Sequence, residues 1–396
     1  MVLFLHNRYR TTGGEERTVE DLQWLVREHL HEPAELLSRD SASLHRARAA
    51  AGLLRGGLQP GDVARAVRLS RARVVHAHNL HPTLGWRALA AARGAGARVV
   101  LHLHQYRLVC AIGVCYTRGA ECTRCHGRNT LPGVRLRCRG ALPEAATYGA
   151  ALALWQRRLL EQADALIVPS GFARERLRAL GAPLPWERVH VLAPPVRALS
   201  GAALPSRAEA TESEPAPGPE TARSPRRPYA LVVARLSPEK GVGTAIAACR
   251  LAGIALAVAG DGPELPALRE LAGDGDVRFA GRVDDLELAR LRAGASVALV
   301  PSRSAETFGM AAAEAMAAGL PVAASRVGAL PELLEDASLA PPGDASALAG
   351  AIARVLADPD IGRRSRERVA AVCAPDVVAR GLAEVYGGVA TARAET

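Results

Sequence analysis

Short apolar runs alternate with longer amphipathic stretches along most of the chain. In the first half, "MVLFL", "RVVHAH", "ARVVLHLH" and "ALIVPS" have the length and β-rich composition of strands. Helical periodicity lies between them, as over Thr18–Leu30 and Pro82–Arg93. Strand–helix alternation implies a parallel sheet covered by helices. The segment 198–228 has no periodicity, is rich in Pro, Ala, Glu and Ser, and reads as a linker or disordered loop. The alternation then restarts with "YALVVAR", "ALAVAG", "VRFAG", "SVALVPS" and "PVAAS". The pattern predicts an α/β protein of two doubly wound, Rossmann-like domains, 1–197 and 229–375, facing a cleft. A last helix within 376–396 is expected to pack back on the first domain.

At 396 residues each half is long enough for its own core. Hydrophobic residues make up 49% and charged residues 23%, a globular composition. No apolar run reaches the roughly 18 residues of a membrane span, and "MVLFLH" is too short for a signal-peptide core. The expectation is a cytoplasmic protein. Charge is uneven: residues 1–200 hold 29 Arg against 15 Asp and Glu, a net +14, and the rest hold 21 basic against 25 acidic residues, a net −4. The basic half suits an anionic membrane surface, a phosphorylated substrate or nucleic acid, and equally an ordinary arginine-rich solvated surface. Aromatics are only 4% and are not interleaved with the arginines, which argues against a zinc-containing nucleic-acid binder.

Ligands of doubly wound sheets bind at the carboxyl ends of strands. That rule points to His78, His104 and Ser170 in the first half, and to Arg235, Gly260, Gly281 and Ser302 in the second. Arg235 follows "YALVVA", and five residues on stands Lys240, the only lysine among 50 basic residues. A planar fork and a compact point charge are not equivalent, and the pair suits a diphosphate. In "ETFGMAAAE", Glu306 lies in a loop, Gly309 precedes a helix, and Glu314 lies within it. The N–H groups at such a helix start suit phosphate or sugar oxygens.

Taken together, Arg235…Lys240, "AGDGP" with Gly260, "GRV" ending at Val283, the Glu306-x7-Glu314 pair and "AAGLPVAAS" resemble the retaining glycosyltransferases of family 4, which have the GT-B fold. The resemblance implies transfer of a sugar from a nucleoside-diphosphate donor, UDP- or GDP-linked, to an acceptor hydroxyl of unknown identity. It gives Arg235 and Lys240 to the donor diphosphate, Glu306 to the donor sugar, the Phe308–Gly309–Met310 amides to the donor, and Glu314 to the ribose. The family usually has a second glycine where this chain has Ala329. In "HNRYRTTGGEER", the pair Gly13–Gly14 is an ordinary turn by composition, and by resemblance a close approach to the donor phosphate. "VVLHLHQYRLVC" carries His102 and His104 on one face; His104, nearer the carboxyl end, matches a family histidine that positions donor and acceptor. His104 and Glu306 are therefore the expected catalytic pair.

Five of the seven cysteines fall between Cys110 and Cys138. Cys122-x2-Cys125 has metal-knuckle spacing, and Cys110 and Cys138 complete four thiolates, with Cys115 and His126 as spare ligands. A structural Zn²⁺ site, free thiols and redox pairing are the readings this spacing leaves open. A subset of family 4 has a stretch similar to "HQYRLVC", "CTRC" and "RCRG". No catalytic metal is expected, because "DGD" (274–276) and "DPD" (358–360) read as turns. A non-catalytic glycosyltransferase-like subunit remains the rival that only an assay excludes.

Overall fold

The computed structural model describes residues 1–8, 14–41, 44–200 and 228–391. Its strands, in chain order, are β1 (Val2–Arg8), β2 (Ala34–Asp40), β3 (Val74–Ala77), β4 (Arg98–His102), β5 (Tyr116–Thr117), β6 (Ala120–Glu121), β7 (Ala165–Val168), β8 (Val189–Val191), β9 (Tyr229–Val233), β10 (Ala255–Ala259), β11 (Val277–Gly281), β12 (Val297–Val300), β13 (Val322–Ser325) and β14 (Leu339–Ala340). The chain divides into two units. One comprises Met1–Thr117, Glu121–Pro195 and the chain from Pro375; the other comprises Arg118–Ala120 and Val196–Ala374.

The first unit is built on a six-stranded sheet of order β2-β1-β3-β4-β7-β8, parallel throughout. Side chains alternate across a strand, so Val2, Phe4, Val74, Val100, Ala165 and Ile167 share one face. Against it lie Val19, Leu22 and Val26 of the helix Gly14–His29 and Val378, Leu382 and Tyr386 of the helix Pro375–Thr391. The terminal helix is thus part of the first unit's core. β2 escapes the sequence reading because "AELLSRD" pairs at the sheet edge and buries only Ala34 fully. The three-residue β8 has no buried residue at all.

The second unit is a six-stranded parallel sheet of order β11-β10-β9-β12-β13-β14. This is the doubly wound arrangement in which the order of strand addition reverses between the first and fourth strands, here β9 and β12. Its core gathers Ala230, Val232, Ile246, Val258, Leu299 and Ile352. The "DGD" stretch is the turn before β11, and "DPD" separates the helices Ala345–Ala357 and Ile361–Cys373, where Asp358 pairs with Arg364. Both are turns, as expected. The segment expected as a linker begins with a 3-10 turn, Arg197–Leu199, and residues 201–227 of it lie outside the described residues. Among the described residues no helix is long and apolar enough to cross a membrane.

Leu382 is fully buried between the terminal helix and the first sheet. Leu382→Ala is expected to destabilise the first unit by about 2–5 kcal/mol. Urea unfolding followed by tryptophan fluorescence checks this, since all four tryptophans (Trp24, Trp86, Trp155, Trp186) lie in that unit.

Candidate active site

In the second unit the chain reversal between β9 and β12 brings two loops together. The loop after β9 makes a 3-10 turn, Pro238–Lys240, ending at Gly241 with φ 66°. A Cβ on Gly241 would stand 2.2 Å from the Pro301 carbonyl oxygen, so a glycine is what lets this turn rest on the end of β12. Lys240 then meets Glu306 across 66 residues of sequence: Nζ donates to Oε1 at 2.7 Å, and the Ser302 hydroxyl donates to the same oxygen at 2.6 Å. Burial pushes the Glu306 carboxyl up, but the Lys240 charge and the hydrogen bonds from Lys240 and Ser302 outweigh it, leaving the pKa below its ordinary value.

Arg235 is half exposed, and one of its guanidinium nitrogens donates to Glu239 Oε1 at 2.6 Å. The Ser237 hydroxyl donates to that oxygen at 2.7 Å. Arg235 and Lys240 are therefore each anchored by a carboxylate. The loop carrying Gly260 lies directly on the β9 loop: a Cβ there would stand 1.8 Å from the Ala234 carbonyl oxygen, and the Leu236 amide donates to Asp261 O. Gly260 thus has a backbone-packing reason as well as an expected ligand role. Val283 is half-buried just beyond β11.

Phe308 is buried, and Gly309 in left-handed geometry opens the helix Met310–Ala317. Glu314, on that helix, forms an ion pair with Arg292, and both side chains are largely buried. Gly328 is a positioning residue that sequence reading missed. At φ 60°, a Cβ on it would stand 2.2 Å from the Glu306 carbonyl oxygen. Ala329 next to it has φ −80° and donates its amide to Glu306 O at 2.9 Å. The geometry at 329 does not require the family's glycine.

In the first unit the chain reversal lies between β1 and β3. The Asn7 amide donates to Asn79 O at 2.7 Å, and the Thr83 hydroxyl donates to Asn7 Oδ1 at 2.6 Å. Strand alternation lines up His6, His76, His78, His102 and His104 on one face. β4 ends at His102, so His104 stands two residues beyond the strand rather than at its end. His78 Nδ1 and His104 Nε2 share a hydrogen bond of 2.7 Å, and the His102 and His104 rings stack at 4.1 Å. His76 links His102 at 3.3 Å to the Tyr386 hydroxyl at 2.8 Å. Burial holds the His104 pKa below the usual imidazole range, although Glu15 and Glu16 pull it the other way. His76 is driven to about 3, by burial and then by His104.

His76, His78 and His102 are the group among the described residues whose ligating atoms all lie within 4.8 Å of one another. The His76 ring stacks on those of His78 and His102 at interplanar angles of 25° and 9°, and the His78 and His102 rings are tilted by 30°. His76 uses one ring nitrogen on the Tyr386 hydroxyl and the other on His102, so it has none left for a metal, and the trio is a row of neutral hydrogen-bonding rings.

His78, His102 and His104 border a pocket of about 740 Å³, its open mouth included. Leu53, Leu80, Trp86, Leu152 and Trp155 form its apolar wall, and Glu15, Gln105 and Arg107 its polar side. Buried His78 Nε2 and Gln156 Oε1 have no hydrogen-bond partner among the described residues, the condition a ligand or water relieves. Gly14 is the first residue of the helix that carries Glu15 to this pocket; its partner Gly13 lies outside the described residues. Ser170 instead caps the helix Gly171–Ala179, accepting from the Ala173 amide at 3.0 Å. The tryptophans were missed because nothing local marks an aromatic as pocket-lining.

Five cysteines surround a second pocket in the first unit, of about 370 Å³. Cys115 is buried, whereas Cys110, Cys122, Cys125 and Cys138 are each partly exposed.

A lowered Glu306 pKa contributes stability that is present above the unfolded value near 4.5 and lost as pH falls through the lower folded value. The stability difference between the wild type and Glu306→Gln is therefore expected to be largest near pH 7 and to shrink below pH 4.5. Urea midpoints measured across that range check the sign.

Residues 11–195 match the family model described as "Glycosyl transferase 4-like domain", and residues 227–358 match "Glycosyl transferases group 1". A glycogen synthase of Mycobacterium tuberculosis is 38% identical over 186 residues, 42% of this chain and 45% of that protein. A GDP-mannose-dependent alpha-(1-6)-phosphatidylinositol monomannoside mannosyltransferase of the same organism is 34% identical over 189 residues, 42% and 49% of the two chains. The chain spans less than half the length of these curated relatives. Among solved structures, sucrose-phosphate synthase from Thermosynechococcus elongatus superposes with a TM-score of 0.69 at 20% identity, covering 99% of this chain and 100% of that one. Anabaena HepE in complex with UDP gives 0.62 at 17%, covering 98% and 100%. The fold is therefore GT-B. With one domain model on each unit, the chain belongs to the GT-B glycosyltransferases, a glycosyl transferase 4-like domain followed by a group 1 domain.

Proposed function

We propose that this protein transfers a glycosyl unit from a nucleoside-diphosphate sugar to an acceptor hydroxyl, with retention at the anomeric carbon. The observation that carries the reading is the Lys240–Glu306 pair at the chain reversal of the second sheet. An ammonium has three donors. With one on Glu306, Lys240 keeps two for oxygens of a diphosphate, while Arg235 offers a half-exposed guanidinium beside the same turn. Glu306, ionised and held by Lys240 and Ser302, accepts hydrogen bonds from sugar hydroxyls. Glu314, fixed by Arg292, takes the ribose hydroxyls, and the amides opening the helix at Gly309 and Met310 approach the donor. The bond from the anomeric carbon to the diphosphate breaks as the bond to the acceptor oxygen forms, the acceptor's hydroxyl proton passes to the departing phosphate oxygen on the same face, and these cations stabilise the departing charge.

The acceptor is assigned to the first unit. Its pocket joins an apolar wall to polar groups at His104, Gln105 and Arg107, which suits an acceptor with an apolar body and a hydroxyl near His104. Neutral His104, tied to His78, hydrogen-bonds that hydroxyl. UDP bound to HepE and the GDP-mannose dependence of the mycobacterial relative favour a UDP- or GDP-linked donor.

A panel of UDP-, GDP-, ADP- and dTDP-sugars, scored by thermal shift and release of nucleoside diphosphate, tests the reading; no response to any donor overturns it. Lys240→Ala is expected to lower kcat/KM by about 10²–10³-fold. Lys240→Arg is expected to recover little of this, because a planar fork does not fit where one ammonium bridges Glu306 and the ligand. Steady-state kinetics on variants with unchanged circular dichroism check both.

A further inference from the structure

Between β4 and β7 the chain runs through a segment with little regular structure of its own. Residues 103–141 contain only a three-residue 3-10 turn, the two-residue strands β5 and β6 and a five-residue helix, Leu131–Arg135. A segment of this length and so little secondary structure has a thin core and needs another means of holding its shape. What its parts share is sulfur. Cys110 follows the 3-10 turn, Cys122 and Cys125 follow β6, and Cys138 follows the short helix, yet all four border one pocket.

We propose that Cys110, Cys122, Cys125 and Cys138 bind one Zn²⁺ ion, which staples this segment. Four partly exposed thiols around an opening of about 370 Å³ are reachable by an entering ion. Cys115 is buried and hydrogen-bonds the Cys110 sulfur, which assigns it as a support for that ligand. The backbone is already shaped to bring sulfurs inward. The Ile112, Gly113 and Cys115 amides donate toward Cys110 and the Gly133 amide toward Cys125, the usual surroundings of a metal-bound thiolate. Zinc with four thiolates carries a net charge of −2. The positive charge of Arg176, felt at Cys115, partly offsets it. A filled site has Zn–S distances of about 2.3 Å. No three of the sulfurs lie within 4.8 Å of one another, so ion binding contracts the loops around it.

The staple acts on the neighbouring pocket by position, since four thiolates leave zinc no open coordination site. The Tyr106 amide donates to Gly113 O at 3.0 Å, and Gln156 donates to Leu108 O at 2.9 Å and Gly127 O at 3.1 Å. These bonds tie the cysteine loops to the residues beside His104.

The test uses the full chain purified under reducing conditions. Metal content is measured by mass spectrometry, and by release to a colorimetric chelator after thiol blocking. One zinc per chain is expected, falling below about 0.2 per chain in Cys125→Ser and Cys138→Ser and staying near one in Cys115→Ser. Should the ligand variants fold poorly, the wild type stripped of metal and titrated with zinc serves instead. One equivalent is then expected to raise the melting temperature, and Co²⁺ in its place to give thiolate charge-transfer absorption. Less than about 0.1 zinc per chain after reconstitution, a Cys122–Cys125 disulfide in the reduced preparation, or metal loss in Cys115→Ser equal to that in Cys125→Ser overturns the proposal. None of these readouts depends on sugar transfer, so the metal assignment and the catalytic reading fail separately.

Discussion

An ionised carboxylate placed among buried groups is tolerable only beside a fixed positive charge. The pair of Lys240 and Glu306 meets that condition in the second unit, with the Ser302 hydroxyl completing it. Removing either partner leaves the other charge uncompensated, so the loops after β9 and β12 are held in one relation. Gly241 and Gly328 make that relation sterically feasible, one by admitting Pro301 and the other by admitting the Glu306 backbone. The groups assigned to the donor hang from these two loops or from the helix that follows the second.

The first unit solves a different problem with the same kind of sheet. Its chain reversal faces a row of imidazoles that are almost entirely desolvated. Burial keeps His76, His78 and His102 neutral, so they stack and share hydrogen bonds without mutual repulsion. Tyr386 of the terminal helix closes one end of the row, and the pocket beside His104 opens at the other. The last helix therefore reaches the row that leads to this pocket from some 280 residues farther along the chain than His104.

Much of this was legible without coordinates, for reasons that can be named. β1, β3, β4, β7, β9, β10, β12 and β13 announce themselves because central parallel strands are buried on both faces and become continuous apolar runs. β2 is an edge strand that buries one residue fully, so "AELLSRD" lacks that signal. Lys240 stood out because it is the one lysine of an arginine-rich chain. Its partner is not marked by spacing, since 66 residues separate Lys240 from Glu306 and only the strand order brings them together. Arg292 and Gly328 were hidden for the same reason, whereas Glu239 stands only four residues from Arg235. Ser170 illustrates the converse: its place after a strand pointed to a ligand, and the local backbone used its hydroxyl as a helix cap.

The amino-acid sequence by itself determined the two-sheet α/β architecture, the two catalytic candidates and the cluster of cysteines. Hydrophobic period, glycine placement and rare residue types are local properties, and they survive in one dimension. Only the tertiary structure decided which charges neutralise which, that the terminal helix belongs to the first core, that aromatic rings wall a pocket beside His104, and that four separated thiols border one opening. Those outcomes depend on strand order and on desolvation, and both arise only when residues far apart in the chain exclude water from one another.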